Sequence, residues 1–364
     1  MGLTAGIVGL PNVGKSTIFN ALCNGKALVE NYPFCTIDPN HGIIAVPDDR
    51  LPRITAFSPT QKVVPAFLEL VDIAGLVKGA SNGEGLGNQF LGHIKDVDAV
   101  VHVVRCFEDK NITHVEGSAD PLRDISIIET ELMLADSDTV ERGIDRLSKA
   151  AKSGDREIKE RLLVFEKALE ALSRAIPIRK LGLSTSEIKE LSELHLLTSK
   201  PVLYVANIDE ARVLDDGPFV KSVKDYAAAE KSGCVKISGK IEAEIADLPE
   251  DQRPEFLATI GLSEPGLNIL ARAIYKLLGL ETFFTSGPKE NRAWTISKGT
   301  TAPRAAGCIH SDFEKGFIKA DVYRLEDLER YKTEAAMRAA GKIRSEGKDY
   351  VVMDGDIVFF KFNV

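Results

Sequence analysis

Eight residues near the start of the chain, Gly9-Leu10-Pro11-Asn12-Val13-Gly14-Lys15-Ser16, restrict its possible folds more than any other stretch. They follow a short apolar run, Ala5 to Val8, that reads as a strand. They precede Thr17-Ile18-Phe19-Asn20-Ala21-Leu22, which reads as the start of a helix. A GxxxxGK[ST] pattern between a strand and a helix is the setting of a phosphate-binding P-loop. Its glycines let successive backbone N–H groups point inward at phosphate oxygens, and the helix N-terminus adds partial positive charge. The backbone from Asn12 through Val13, Gly14, Lys15, Ser16 and Thr17 is therefore expected to wrap the phosphates. Lys15 is expected to reach the β- and γ-phosphates, and the Ser16 hydroxyl to bind Mg²⁺.

The 364 residues suffice for one large or two to three ordinary domains. A formal net charge of -8 argues against a generic nucleic-acid binder, so any RNA contact must come from a local patch. The five cysteines (Cys23, Cys35, Cys106, Cys234, Cys308) are dispersed and form no CxxC pair. That pattern points to reduced thiols in a cytosolic compartment without a zinc site. The P-loop begins too early for a signal peptide to precede it, and no apolar run is long enough to cross a bilayer. A cytoplasmic location with no membrane partner is expected.

Two segments downstream read as nucleotide-sensing loops. Asn31 to Asn40 is a loop rich in Pro, Asn and Asp. Thr36 within it is either a plain turn threonine or the threonine that closes over Mg²⁺ and the γ-phosphate. A strand-like run, Val63 to Val71, ends in Asp72-Ile73-Ala74-Gly75, a DxxG at the carboxyl end of a strand, where doubly wound sheets place ligands. Asp72 is expected to hold Mg²⁺ through water, and the Gly75 N–H to sense the γ-phosphate. Leu76 follows, where a Ras-like switch has the glutamine that orients the attacking water, so the water must be positioned otherwise. The glycine-rich stretch Lys78 to Gly87 reads as a long switch. His102 lies in the apolar strand Ala99 to Val104 and reads as a core histidine with one hydrogen bond. His114, on the polar loop beyond, is a surface histidine or the replacement for the missing glutamine.

From about Ile125 to Thr198 the pattern becomes helical. Leu162, Phe165, Leu169 and Leu172 recur at spacings of three and four, with charges on the other face. This predicts an antiparallel helical pair with its tip near Ser153-Gly154. Its charged face is either simply solvated or an arm for a partner. The sheet then returns with Pro201 to Ala206, followed by Asn207-Ile208-Asp209-Glu210. A guanine-specific site has Asn-Lys-x-Asp here. Ile208 replaces the Lys, and the extra methylene of Glu210 moves the carboxylate out of bidentate register, so guanine preference weakens and adenine becomes acceptable. Ser238-Gly239-Lys240 lies where such folds touch the base. The last section, from near Glu281, reads as a small α+β module: a strand at Trp294, a helix near Pro303 to His310, a strand Gly316 to Val322, one helical segment Glu326 to Ala340, and two strands joined at Asp354-Gly355. Lys332, Arg338, Lys342, Arg344 and Lys348 form a modest basic patch, suited to RNA or to ordinary surface charge.

Together these motifs, with Asn31-Tyr32-Pro33-Phe34-Cys35-Thr36-Ile37, Gly85-Leu86-Gly87-Asn88-Gln89-Phe90-Leu91 and Ile309-His310-Ser311-Asp312-Phe313-Glu314-Lys315-Gly316-Phe317-Ile318-Lys319-Ala320, closely resemble the Obg-like ATPases of the YchF type. This family sits in the Obg-related branch of the translation-factor-like P-loop GTPases. The resemblance implies a Ras-like doubly wound α/β core (1–124 and 199–280), an inserted helical coiled-coil domain (125–198) and a C-terminal α+β TGS domain of β-grasp type (281–364). It implies slow ATP hydrolysis in preference to GTP, association with ribosomes, and a regulatory role in translation or stress response. RNA contact through the TGS domain and the helical arm, and a monomeric state, accompany that reading. It favours His114 over His102 as the hydrolysis-assisting histidine. The asparagine at Asn12 suggests in addition a K⁺ ion beside the phosphates. The rival readings are a guanine-specific GTPase and a ribosome- or RNA-binding scaffold whose nucleotide only stabilises the fold.

Overall fold

The computed structural model describes residues 3–23, 40–73, 86–109, 117–151 and 155–363, with only the backbone of 86–89. Thr36, Gly75, Leu76, His114 and the arm tip at Ser153-Gly154 lie outside the described residues. The first sheet carries β1 (Thr4–Val8), β2 (His41–Val46), β4 (Ala66–Asp72), β5 (Ala99–Arg105), β6 (Val202–Asn207) and β7 (Gly233–Ile237). Their spatial order is β2-β4-β1-β5-β6-β7, and β1 pairs in parallel with both β4 and β5. Strands β5, β6 and β7 continue in parallel. Strands β5 and β6 are buried along their whole length, as their unbroken apolar runs require in a sheet covered on both faces. The strand order reverses direction at β1, so the crevice at its carboxyl end is the place for a ligand.

Helix α1 (Lys15–Cys23) follows β1 directly and buries Ile18 and Phe19. After β5 the chain enters α4 (Pro121–Ala150), with Pro121 in its first turn and the Asp120 side chain accepting from the Arg123 N–H. Helix α5 (Arg156–Ser173) packs against it, with Phe165 and Leu172 in a shared core that includes Met133 and Val140. Gly143 on α4 permits this approach, because a Cβ there would stand 2.7 Å from the Phe165 ring. Of the four predicted core positions, Leu162 and Leu169 are only half-buried. At the base of the pair, buried Asp136 accepts from the N–H groups of Leu197 and Thr198 (both 2.8 Å) and from the Thr198 hydroxyl. Burial pushes this carboxyl up against those three hydrogen bonds. No helix among the described residues is long and apolar enough to cross a membrane.

The second sheet is mixed. It contains β3 (Lys62–Val64), β8 (Leu280–Thr285), β9 (Glu290–Ser297), β10 (Phe317–Arg324), β11 (Arg344–Glu346) and β12 (Asp356–Phe362), in the order β11-β10-β12-β8-β9-β3. Its core joins Phe283, Ile296, Phe317, Val358 and Phe360 to Ala302, Ala305 and Ala306 of α11 (Ala302–Ile309). Three expectations need correction here. The run Val63 to Val71 is not one strand: Pro65 interrupts it, β3 pairs with β9, and β4 pairs with β1. Glu326 to Ala340 is not one helix. Lys332 takes a left-handed conformation (φ 65°) that ends α13 (Leu325–Tyr331), and the Thr333 hydroxyl then caps α14 (Glu334–Ala339). The strands flanking Asp354-Gly355 do not form a hairpin, because β10 lies between β11 and β12 and pairs antiparallel with both.

The basic patch of this section is largely committed to partners. Lys332 lies over the Phe57 ring, 4.6 Å from its centroid. Arg338 pairs with Asp321 and Lys342 with Asp327, and Arg344 donates to the Tyr350 hydroxyl.

Candidate functional site

The carboxyl ends of β1, β5 and β6 open into a cleft of about 440 Å³. Asn12, Gly14, Lys15, Ser16 and Thr17 line one end of it, and Phe107, Asp109, Ile208, Asp209, Glu210 and Lys240 the other. The P-loop backbone is contorted: Asn12 has φ 61° and Gly14 φ 96°. Only glycine suits Gly14, because a Cβ at that conformation would also collide with Nδ2 of Asn207. Gly14→Ala is therefore expected to strain the loop by about 1–3 kcal/mol and to weaken nucleotide binding by about tenfold or more, as read by calorimetric titration.

The Lys15 side chain is buried, and its Nζ donates to the Leu10 carbonyl at 2.8 Å. Burial pulls the ammonium down to about 8, against the opposing pull of Asp72. Ser16 Oγ donates to Asp72 Oδ2 at 3.2 Å, while Asp72 Oδ1 is buried without a hydrogen-bond partner. A hydroxyl and a half-satisfied carboxylate side by side make a hard oxygen donor pair. They fit a Mg²⁺ ion, which takes one or two protein oxygens and completes its shell with phosphate and water.

Asn207 differs from a simple base-reading residue. Its Nδ2 donates to the Val13 carbonyl at 2.8 Å, and its Oδ1 accepts from the Gly239 N–H at 2.9 Å. The amide thus clamps the P-loop to the start of α8 (Gly239–Asp247). Val13 contributes its carbonyl to this clamp and keeps its side chain in the core. Ile208 is also buried, and the Ser238 hydroxyl is buried without a hydrogen-bond partner. Glu210 forms an ion pair with Lys240 that holds its carboxyl below the ordinary range.

Phe107 was not singled out by the sequence. The buried Arg105 guanidinium lies 4.6 Å from the Phe107 ring centroid and donates to the carbonyls of Phe107 and Asp109 (3.2 Å each). The signal was its place two residues beyond the carboxyl end of a buried central strand. His102 is buried as expected, but its Nε2 finds no partner. Burial, with Arg179 and Lys15 nearby, pushes it down to about 3, so it stays neutral.

A sheet whose first strand, paired in parallel on both sides, feeds a glycine-strained loop, with a lysine and a hydroxyl–carboxylate pair behind it, defines a P-loop nucleotide-binding protein. Residues 4–207 match the family described as "50S ribosome-binding GTPase", and residues 280–363 match the YchF GTPase C-terminal family, described as a "Protein of unknown function". The chain is 52% identical to the "Ribosome-binding ATPase YchF" of Escherichia coli O157:H7 over 364 residues, all of both chains. It is also 52% identical to the protein of that name from Bacillus subtilis (strain 168), again over the whole of both chains. Its fold matches the solved Schizosaccharomyces pombe YchF GTPase with a TM-score of 0.89 and 40% identity, over 99% of this chain and 97% of that one. The chain belongs to the YchF family.

Proposed function

We propose that this protein hydrolyses ATP, in preference to GTP, and acts as a cytoplasmic, ribosome-associated switch in translation or stress response. The observation that carries the chemistry is that Lys15 and Ser16 line one end of the cleft and the Ser16 hydroxyl is bonded to Asp72. The relatives' printed name, "Ribosome-binding ATPase YchF", supports the base and the partner. In this reading Lys15 and the backbone N–H groups from Asn12 to Thr17 hold the triphosphate. Ser16, Thr36 and Asp72 hold Mg²⁺, which neutralises charge on the β- and γ-oxygens when bound. Asn12 adds a K⁺ site, the Gly75 N–H senses the γ-phosphate, and His114 positions the attacking water in place of a glutamine.

Residues 1–124 with 199–280 form the nucleotide-binding part, 125–198 the helical arm and 281–364 the TGS part. The protein acts as a monomer, and the arm and TGS part make any RNA contact.

Phosphate release measured with ATP and with GTP, each in KCl and in NaCl, tests the chemistry. Slow release that is faster with ATP and faster in KCl is expected. Faster release with GTP would make this a guanine-specific switch, and equal rates in the two salts would remove the K⁺ site. Co-sedimentation with ribosomes in ATP, in ADP and without nucleotide is expected to differ among the three states. Equal binding in all three would mark a scaffold.

A further inference from the structure

Guanine and adenine present opposite groups at ring position 1. Guanine offers an N–H donor beside a 2-amino group, whereas adenine offers an acceptor nitrogen and no 2-amino group. A site for guanine therefore needs a carboxylate free to accept two hydrogen bonds. Glu210 stands at the motif position from which guanine is read, and it lines the cleft together with Glu108, Asp109 and Asp209, one oxygen of which is enclosed by protein. Glu210 is not free, because Lys240, from the first turn of α8, is paired with it. The same ammonium feels Asp109 across the mouth of the cleft and Glu244 on its own helix. A cation therefore stands beside the carboxylate that the donors of guanine would need, and its N–H groups suit the acceptor of adenine.

We propose that Lys240 is a specificity-determining residue for the base, acting through Glu210: it withholds the carboxylate from guanine and presents N–H donors to adenine. This rests on the reading that adenine nucleotides are preferred. Both side chains are partly exposed, with 69% of Lys240 and 42% of Glu210 accessible. Exposed ion pairs are modest in strength, so the effect on the affinity ratio is about twofold to fivefold.

Calorimetric titration of the full-length chain with ADP and with GDP tests this on four proteins: the parent, Lys240→Met, Lys240→Arg and the double variant Lys240→Met/Glu210→Gln. The Kd ratio of GDP to ADP is its own control, since damage to the fold or the phosphate site weakens both nucleotides alike. The parent is expected to bind ADP more tightly. Lys240→Met should narrow the ratio about twofold to fivefold, Lys240→Arg should keep the parental ratio, and the double variant should return towards it because no carboxylate remains to release. An unchanged ratio in Lys240→Met, or a double variant as narrowed as the single, overturns the proposal. A parent without ADP preference is visible before any variant is made. It overturns the adenine reading itself, and this proposal with it.

Discussion

Nucleotide affinity is expected to be flat up to about pH 7 and to fall above about pH 8, by roughly tenfold for each further unit. The cause is Lys15. Its ammonium sits in the protein with one carbonyl acceptor, and burial holds it at about 8, well below an ordinary lysine. At pH 9 about nine molecules in ten carry it neutral. A bound phosphate favours the charged form and raises the value again, so binding takes up a proton.

Calorimetry at pH 8.5 in two buffers of different ionisation enthalpy should report uptake of roughly three-quarters of a proton per nucleotide. The stability of the nucleotide-free protein should move the opposite way. The folded-state value lies below that of the unfolded chain, so the unfolded state binds more protons between about pH 8 and 10.5, and stability rises through that window. Lys15→Met should remove the proton uptake and weaken nucleotide binding by about a hundredfold or more, two decades of affinity. An affinity that does not change between pH 7 and 9.5 would show that Lys15 stays charged without phosphate.

That behaviour was not legible in the sequence, although the residue was. Gly14, Lys15 and Ser16 announce a phosphate loop because the chemistry needs those types at that spacing, and the strand and helix around them follow from local patterning. What Lys15 touches depends on how the loop closes. The same division runs through the site. Asn207 was legible as the first residue of a base-reading motif. That its amide is spent on Val13 and Gly239 depends on three segments meeting. Lys240 and Glu210 are thirty positions apart, and no periodicity links them. Phe107 sits in a segment without periodicity, so only its place just beyond β5 pointed to it.

In the fold, Asp354-Gly355 is a sound turn signal, but strand pairing is non-local and β10 takes the place beside β12. Val63 to Val71 is apolar on both sides of Pro65, so only the pairing reveals two strands. The helical arm was legible because its apolar spacing is local. The ionic cluster at its base was not, because it gathers residues from four elements.

That cluster carries the largest expected effect on stability. The Arg179 guanidinium, in the turn Ile178–Lys180, reaches Glu129 on α4 and Glu230 at the end of α7 (Pro218–Ala229). Tyr204 from β6 donates to both carboxylates (3.3 and 3.1 Å), Tyr226 donates to Glu129 at 2.8 Å, and Lys180 pairs with Glu230. The side chains of Arg179, Glu129 and Glu230 are only 12%, 11% and 3% exposed, so each charge depends on the others. Burial pushes Glu230 up, but Lys180, Tyr226 and Arg179 outweigh it and leave the carboxyl below its ordinary range.

Arg179→Met would leave Glu129 with two hydroxyl donors and no cation, and should cost about 3–5 kcal/mol at neutral pH. In the parent Arg179 helps to hold the folded-state value of Glu230 below the unfolded one, so part of its stabilising effect is lost once that carboxyl is protonated. The gap between parent and variant should then narrow as pH falls below about 4.5. Adding Glu129→Gln should recover part of the loss, with a coupling of about 1–3 kcal/mol. Denaturation is best followed by far-ultraviolet circular dichroism, because the single tryptophan, Trp294, lies in β9 of the second sheet. A cost below about 1 kcal/mol, or a gap that does not change with pH, would mean that water reaches these carboxylates and that the arm is held at its base by apolar packing alone.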